Sequence, residues 1–242
     1  MSLNFEELDH AETRFGELVL RRRRVLSLDG AEVYEVKLNG EFLMSSLVND
    51  SEIALSELGL AALGEPPGPA TWDVVVGGLG LGYTAAAALG YAGVASVRVV
   101  EALPEVIAWH TGRLVPMGAT LMDDPRCTLL MGDFFARARD GGFDPAEPER
   151  TYDAVLLDID HSPAGLLDSS HQDLYTPDGL RRLAAQLRPG GVFALWSSEP
   201  PETSVTEVLG AVLAEPVAHA VEFDNPMLDR EDVNTIYVAR RA

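Results

Sequence analysis

The stretch from Trp72 to Glu101 constrains the fold of this chain more than any other part of the sequence. It begins with an apolar, β-branched run at Asp73 to Val76, which is typical of a strand buried on both faces. Glycines, which allow a sharp turn and a close approach to a ligand, follow at once as Gly77, Gly78, Gly80 and Gly82. Thr84 to Leu89 is mostly alanine and predicts a helix whose N-terminus faces polar or anionic ligand groups.

A second strand is predicted at Val97 to Val100 and ends in Glu101. The carboxylate of Glu101 comes 19 residues after Gly82. In a strand, turn, helix and strand unit of this length, a carboxylate at that point accepts hydrogen bonds from both hydroxyls of a ribose. The unit therefore predicts a nucleoside cofactor that lies across the carboxyl ends of the strands.

The composition limits the class of protein and its partners. The 242 residues are enough for one α/β domain of ordinary size with a small appendage. With 18 basic and 38 acidic residues the net charge is -20, which repels nucleic acid and attracts cations such as an amine substrate. The acidic N-terminus is unlike a signal peptide, and no apolar run is long enough to span a membrane. We therefore expect a cytoplasmic protein without a membrane or nucleic-acid partner.

Residues 1–65 are predicted to form a small N-terminal β layer with a helix. The dipeptide Asn39-Gly40 lies between two apolar runs and is a strong signal for a type I′ hairpin. A helical pattern follows at Ser51 to Leu63. The segment GEPPGP then predicts a boundary before a second domain at residues 70–242.

The remaining sequence alternates strands with helices. Further strands are predicted at Cys127 to Met131, Tyr152 to Leu157 and Val192 to Trp196, and helices at about Pro104 to Arg113, Gly179 to Leu187 and Thr203 to Leu213. Val217 to Phe223 and Asn234 to Ala239 read as two strands that should pair antiparallel, because their linker is too short for a crossover helix. This pattern predicts an α/β fold, with the Rossmann-like seven-stranded methyltransferase sheet and a small N-terminal β-hairpin layer.

The glycine turn alone leaves two nucleoside cofactors open. Gly80 to Ala85 also matches the dinucleotide pattern G-x-G-x-x-A, so a nicotinamide cofactor must be considered. Asp133 follows the third strand of the large sheet, where a carboxylate can accept a hydrogen bond from an adenine amino group. Asp158 follows the fourth strand, over the reacting end of the ligand. With the closing hairpin these carboxylates favour an adenosyl sulfonium ligand, although each acid alone is also a common helix cap.

Five segments carry a resemblance to a known family. They are VVVGGLGLGYT, VVEALPEVIAW, DDPRCTLLMGDFF, YDAVLLDIDHSP and LRPGGVFALWSSEP. In combination they resemble the polyamine aminopropyltransferases (spermidine synthases), and more closely their shorter spermidine synthase-like relatives, within the S-adenosylmethionine-dependent methyltransferase superfamily. The resemblance runs from the hairpin near Asn39 to the strand at Trp196.

The resemblance implies a group transferase that uses S-adenosylmethionine or its decarboxylated form, a small-molecule amine acceptor, and a homodimer formed through the N-terminal layer. It implies that Asp158 lies beside the reacting amine, and we predict Asp158 and Asp160 as the catalytic carboxylates. No metal is predicted. The residues predicted to bind the cofactor are Gly77, Gly78, Gly80, Gly82, Glu101, Ala102, Gly132, Asp133, Phe134 and Asp158.

Three departures from the synthase pattern keep other functions open. The synthases carry an aspartate in a GGGDG turn at the position of Gly80, a second acid at the position of His161, and a tyrosine-histidine pair without a match near Ser51-Glu52. Methyl transfer from S-adenosylmethionine to a small molecule is one alternative, and a non-catalytic cofactor-binding or sensor protein is another. Asp158 to Asp160 also resembles the D-x-D of metal-dependent methyltransferases, whose further ligands would fall at Ser197 to Glu199.

Overall fold

The computed structural model describes residues 4–159, 161–226 and 230–242, and its strands form two sheets. The N-terminal sheet has four antiparallel strands in the order β1-β2-β3-β4. They are β1 (Phe5–Thr13), β2 (Gly16–Val25), β3 (Ala31–Leu38) and β4 (Glu41–Ser45). Asn39 and Gly40 have φ angles of 54° and 79°, as a type I′ turn requires, so the predicted hairpin is confirmed. β1 was not predicted because its sequence, FEELDHAET, is mostly charged or polar.

The second sheet has seven strands in the order β10-β11-β9-β8-β5-β6-β7. These are β5 (Trp72–Gly77), β6 (Val94–Glu101), β7 (Cys127–Met131), β8 (Tyr152–Leu157), β9 (Leu187–Ser197), β10 (Ala214–Asn225) and β11 (Arg230–Arg240). The strands from β5 to β9 pair in parallel, and β11 runs antiparallel between β9 and β10. The predicted fold class, including the closing antiparallel hairpin, is confirmed.

Helices cover this sheet on both faces. They are α1 (Asp50–Ala61), α2 (Tyr83–Leu89), α3 (Pro104–Thr111), α4 (Gly118–Asp123), α5 (Phe134–Asp140), α6 (Pro177–Ala185) and α7 (Thr203–Gly210), with a 3-10 helix at Ser169–Tyr175. α4, α5 and the 3-10 helix were not predicted, because each is short and has little apolar periodicity. Within the part of the chain that the structure describes, the helices are all too short or too polar to cross a membrane.

The core of the large sheet lies on its two faces. Val74 and Val76 of β5 point to one apolar cluster and Val75 to the other, and all three are fully buried. Both faces of β5 are therefore covered, as its unbroken β-branched run predicted. The N-terminal sheet is tied to the same body, because the Trp109 indole of α3 donates a 2.6 Å hydrogen bond to Asp9 of β1.

The helix α1 packs on the large sheet, against α2, β9 and β11. A Cβ at Gly59 would lie 2.7 Å from the Leu156 side chain, so the helix approaches β8 closely. These contacts bring the start of α1 to the carboxyl ends of the parallel strands. The predicted division of the chain at residues 65–70 stays a prediction.

Candidate active site

The ends of four parallel strands meet at one edge of the large sheet. Gly77 at the end of β5 pairs with Val100 on β6 and with Leu157 on β8. Glu101, the last residue of β6, pairs with Met131 at the end of β7. The three carboxylates that follow these strands, Glu101, Asp133 and Asp158, are thus brought to the edge where ligands bind in open α/β sheets.

The glycine turn approaches the end of β8 at van der Waals distance. Gly78 has a φ angle of 93°, and a Cβ on it would lie 2.1 Å from the Asp158 carbonyl oxygen. Only glycine allows this backbone conformation and this approach without strain. The turn is held from the other side by His110, whose Nε2 lies 2.9 Å from the Gly80 carbonyl oxygen. Burial lowers the pKa of His110, so this ring stays neutral and can donate through Nε2.

Glu101 is buried beside the turn, with its carboxylate oriented by two backbone groups. It accepts hydrogen bonds from the N–H of Leu79 (3.0 Å) and from the N–H of Leu103 (2.8 Å). Burial raises the pKa of Glu101, although these hydrogen bonds oppose the shift. A carboxylate has about four lone-pair sites, so it retains the capacity to accept hydrogen bonds from ligand hydroxyls.

Asp133 lies between α5 and the N-terminal sheet. Its Oδ1 accepts a 3.0 Å hydrogen bond from the Ala136 N–H, so Asp133 caps the N-terminus of α5. This is the helix-cap role that the sequence left open for each of these acids. Its Oδ2 accepts a 3.1 Å hydrogen bond from Arg14, in the turn between β1 and β2. Burial alone would raise the pKa of Asp133, but these two hydrogen bonds hold it below its ordinary value.

A narrow cavity of about 100 Å³ runs along these carboxylates. Of the residues predicted to bind the cofactor, those on its wall are Gly78, Gly80, Glu101, Ala102, Asp133, Phe134 and Asp158. Gly82 lines a larger neighbouring cavity, while Gly77 and Gly132 lie at the ends of β5 and β7. Sequence reasoning missed Arg14 and His171 on the narrow cavity, because both come from distant segments. The His171 ring stacks on Phe135, with the ring centroids 3.6 Å apart.

The larger cavity has a volume of about 650 Å³ and adjoins the narrow one. Both are lined by Leu43, Met44, Gly80, Asp158 and Ile159. β4 and the segment after it contribute a continuous part of the apolar wall of the larger cavity, through Phe42, Leu43, Met44, Leu47 and Val48. The two cavities therefore meet at Asp158.

Asp158 is fixed by a short hydrogen bond at the junction of the two cavities. The Thr84 hydroxyl of α2 donates to its Oδ2 over 2.6 Å. Burial raises the pKa of Asp158 to about 6, although this hydrogen bond opposes the shift. Asp160, the second predicted catalytic residue, lies outside the described residues. His161 lines the larger cavity.

Glu52 is a site residue that sequence reasoning missed. It lies in the first turn of α1 and lines the larger cavity. Burial and the negative charge of Asp158 raise its pKa to about 7. From the sequence, an acid in the first turn of a helix indicates only a favourable interaction with the helix dipole. The packing of α1 on the large sheet is what brings Glu52 to Asp158.

The run Arg21 to Arg24 reads, from the sequence, as a solvated strand face. That interpretation is wrong for two of the four side chains. Arg21 and Arg23 are half-buried on the larger cavity and bind the two oxygens of the buried Glu35, over 2.6 Å and 2.7 Å. Side chains two residues apart on a strand share a face, so the alternate Arg22 points away and pairs with Glu6 over 2.7 Å.

Comparison with known proteins gives two kinds of match, although no family model matches the sequence. Polyamine aminopropyltransferase 2 of Pseudomonas aeruginosa is 29% identical over 202 residues, which cover 79% of this chain and 50% of that protein. The polyamine aminopropyltransferase of Sulfolobus acidocaldarius is 28% identical over 128 residues, which cover 53% of this chain and 39% of that protein. The chain thus spans about half the length, or less, of the curated relatives it matches.

Two solved structures share the fold over 98% of this chain, each at 15% sequence identity. A spermidine synthase in complex with the transition-state analogue AdoDATO superposes with a TM-score of 0.71 and is covered over 74% of its length. The spermidine synthase of Thermotoga maritima superposes with a TM-score of 0.70 and is covered over 73%.

The sheet order and the carboxylates at its edge define an α/β protein with the Rossmann-like seven-stranded methyltransferase sheet. Among proteins with this fold, the sequence and structural matches reported above are to polyamine aminopropyltransferases and spermidine synthases. The chain is similar to these proteins, as its motifs predicted.

Proposed function

We propose that this protein transfers an aminopropyl group from decarboxylated S-adenosylmethionine to an amine. The observation that carries the proposal is the meeting of two cavities at Asp158, one lined by Glu101 and Asp133 and the other wide enough for an acceptor. The names of the curated relatives and the synthase fold support the same reaction.

For this reaction the protein has to align two reactants. A nucleophilic amine attacks a carbon that a positively charged sulfur activates, and the sulfur leaves with the bonding electrons. A protein accelerates such a step by holding the reactants in line, and by a carboxylate that accepts the proton of the amine or stabilises its positive charge. We propose Asp158 for this role, with Asp160 tuning Asp158 or binding the cationic substrate. The residues of the narrow cavity would hold the adenosyl group, with Glu101 on the ribose and Asp133 on the adenine.

Methyl transfer from S-adenosylmethionine is the second candidate, and the geometry at Gly80 favours it. The synthases carry an aspartate at this position, whereas here a Cβ on Gly80 would lie 3.0 Å from the Met44 sulfur. A thioether therefore covers the place where an acid would hold the aminopropyl ammonium group. A ligand that keeps its carboxylate would not meet a negative charge at this point.

Calorimetric titration with S-adenosylmethionine, its decarboxylated form and methylthioadenosine separates these candidates. The tighter sulfonium ligand is then incubated with a panel of primary amines, and the products are identified by mass spectrometry. We expect selective binding of the decarboxylated form and aminopropylated products. Selective binding of the carboxylated form with methylated products would replace the proposal by the second candidate. Binding without any product would favour a sensor, and the absence of binding would remove the cofactor assignment.

The assembly and the location are part of the same proposal. We propose a homodimer that forms through the N-terminal sheet and works in the cytoplasm. Phe5 and Phe42 in that sheet are 48% and 54% exposed, so their burial would support association. Light scattering on the purified protein tests this point, and a monomer at micromolar concentration would contradict it.

A further inference from the structure

Two acidic residues of the larger cavity come from distant parts of the chain and contact the same threonine. The Thr84 hydroxyl donates to Asp158 over 2.6 Å and lies 3.3 Å from the backbone carbonyl oxygen of Glu52. Thr84 is 3% exposed, so this contact holds the start of α1 against the end of β8. The side chains of Glu52 and Asp158 both line the cavity of about 650 Å³.

A buried hydrogen-bond network fixes the orientation of the Glu52 carboxylate. The Ser51 hydroxyl, on a residue that is 1% exposed, accepts from the Trp196 indole (2.9 Å) and from the Asn234 amide (2.8 Å). A hydroxyl has two acceptor sites and one hydrogen, so with both sites used it must donate. It donates to Glu52 Oε2 over 2.9 Å. Three elements, α1, β9 and β11, therefore position this carboxylate.

The charges around the pair favour a bound cation. The titratable groups that face Glu52 are Asp158 from β8, Asp50 on its own helix and Tyr83 from α2. The other ionisable residues on the cavity wall are Arg21, Arg23, Glu35, Lys37 and His161. Two like charges held at one partly desolvated site repel each other, and a cation between them removes that repulsion. The apolar wall from β4 then suits an aliphatic chain attached to the cation.

We propose that Glu52 and Asp158 together form the binding site for the primary ammonium group of the acceptor, and that Glu52 takes the proton which this group must lose. The assignment rests on the proposed aminopropyl transfer and names the acceptor as an aliphatic primary amine. The division of roles follows from the surroundings of the two acids. Asp158 lies at the junction of the two cavities, whereas Glu52 lines only the larger one and is held there by the Ser51 hydroxyl. Burial raises the pKa of Glu52, which supports its role as the base.

The step balances with these two groups alone. The ammonium group gives one proton to Glu52 and becomes a neutral amine. Its lone pair attacks the aminopropyl carbon attached to the sulfonium, the C–N bond forms, and the C–S bond breaks with its electron pair going to sulfur. The products are a neutral thioether and a secondary ammonium, whose charge Asp158 stabilises. Glu52 then releases its proton to water in the cavity.

Two variants of the same helix test the proposal. Glu52→Gln removes the charge and the base but keeps an oxygen that can accept from Ser51. Glu57→Gln is the matched control, because Glu57 lies on the same helix and is exposed. For each protein we would measure methylthioadenosine affinity, putrescine affinity in the presence of methylthioadenosine, and the pH dependence of kcat and KM with decarboxylated S-adenosylmethionine.

We expect Glu52→Gln to bind methylthioadenosine like the wild type but putrescine at least about tenfold more weakly. Its kcat/KM should fall about 100-fold, as loss of a general base predicts, and the acidic limb of its kcat profile should disappear. Equal putrescine affinity and an unchanged profile in Glu52→Gln would overturn the assignment while leaving the proposed transfer intact. A wild-type protein that binds putrescine through Glu52 without forming product would contradict the proposed function and keep the ammonium site.

Discussion

The Arg14 guanidinium donates a 3.1 Å hydrogen bond to the Asp133 carboxylate, although 119 residues separate the two along the chain. Arg14 belongs to the turn between β1 and β2, and Asp133 follows β7. The tip of the N-terminal sheet therefore closes one side of the narrow cavity, next to the oxygen that we expect to face an adenine ring.

Replacing Arg14 by alanine should weaken nucleoside binding only slightly. The ion pair is partly exposed, with 51% of the Arg14 side chain accessible, and such pairs contribute at most about 1 kcal/mol. We expect a loss of no more than about fivefold in methylthioadenosine affinity, and less at high salt, because salt screens the pair. Titration calorimetry at two ionic strengths measures this loss of affinity and its dependence on salt. A loss of about 100-fold would mean that Arg14 itself binds the ligand.

Asp158→Asn should separate ligand binding from group transfer. The amide keeps the shape of the side chain but can neither take a proton nor stabilise a cation as well as a carboxylate. We expect the decarboxylated cofactor to bind within about threefold of the wild-type affinity, while turnover falls by about 100-fold or more. The exposed Asp140 provides the control, as Asp140→Asn. Normal turnover in Asp158→Asn would remove this residue from the mechanism.

The stability of the protein should fall as the pH rises from about 4 to about 7, in part through Glu52 and Asp158. Folding raises the pKa of Glu52 from 4.5 to about 7 and that of Asp158 from 3.8 to about 6. Between these limits the folded state binds more protons than the unfolded state, so this stabilisation is present at low pH and is lost as the pH rises. Thermal unfolding of Glu52→Gln should show a smaller fall in Tm over this range. A fall as steep as that of the wild type would show that Glu52 does not contribute.

An aspartate at position 80 should need extra space before it can bind the ammonium group of the decarboxylated cofactor. Gly80 has a φ angle of 46°, which aspartate tolerates better than most residues, but the Met44 sulfur occupies the adjoining space. We expect Gly80→Asp alone to bind decarboxylated S-adenosylmethionine no better than the wild type. The double variant Gly80→Asp with Met44→Ala should bind it about tenfold more tightly, through a charge-assisted hydrogen bond to the ammonium group. Affinities measured by calorimetry for both variants and for Met44→Ala alone decide the point, and no gain in the double variant would contradict it.

Much of the fold could be predicted because local signals agree with one another. The β-branched run at Asp73 to Val76 needs two covered faces, and the glycines after it need a tight turn. Asn39-Gly40 specifies its own hairpin through two positive φ angles. Short or charged elements were not predicted, because β1 shows no apolar alternation and α5 is only seven residues long. The roles of the individual site residues stay predictions.

The sequence by itself determined the parallel sheet, its glycine turn and the carboxylates after β6, β7 and β8, because periodicity and chain direction decide what emerges at one edge of such a sheet. Only the tertiary structure decided what faces those carboxylates. Glu52 reads as an ordinary first-turn acid and Arg14 as an ordinary turn residue until packing brings them to Asp158 and Asp133. Contacts between segments so far apart depend on how α1 and the N-terminal sheet pack on the large sheet, and no local pattern encodes that packing.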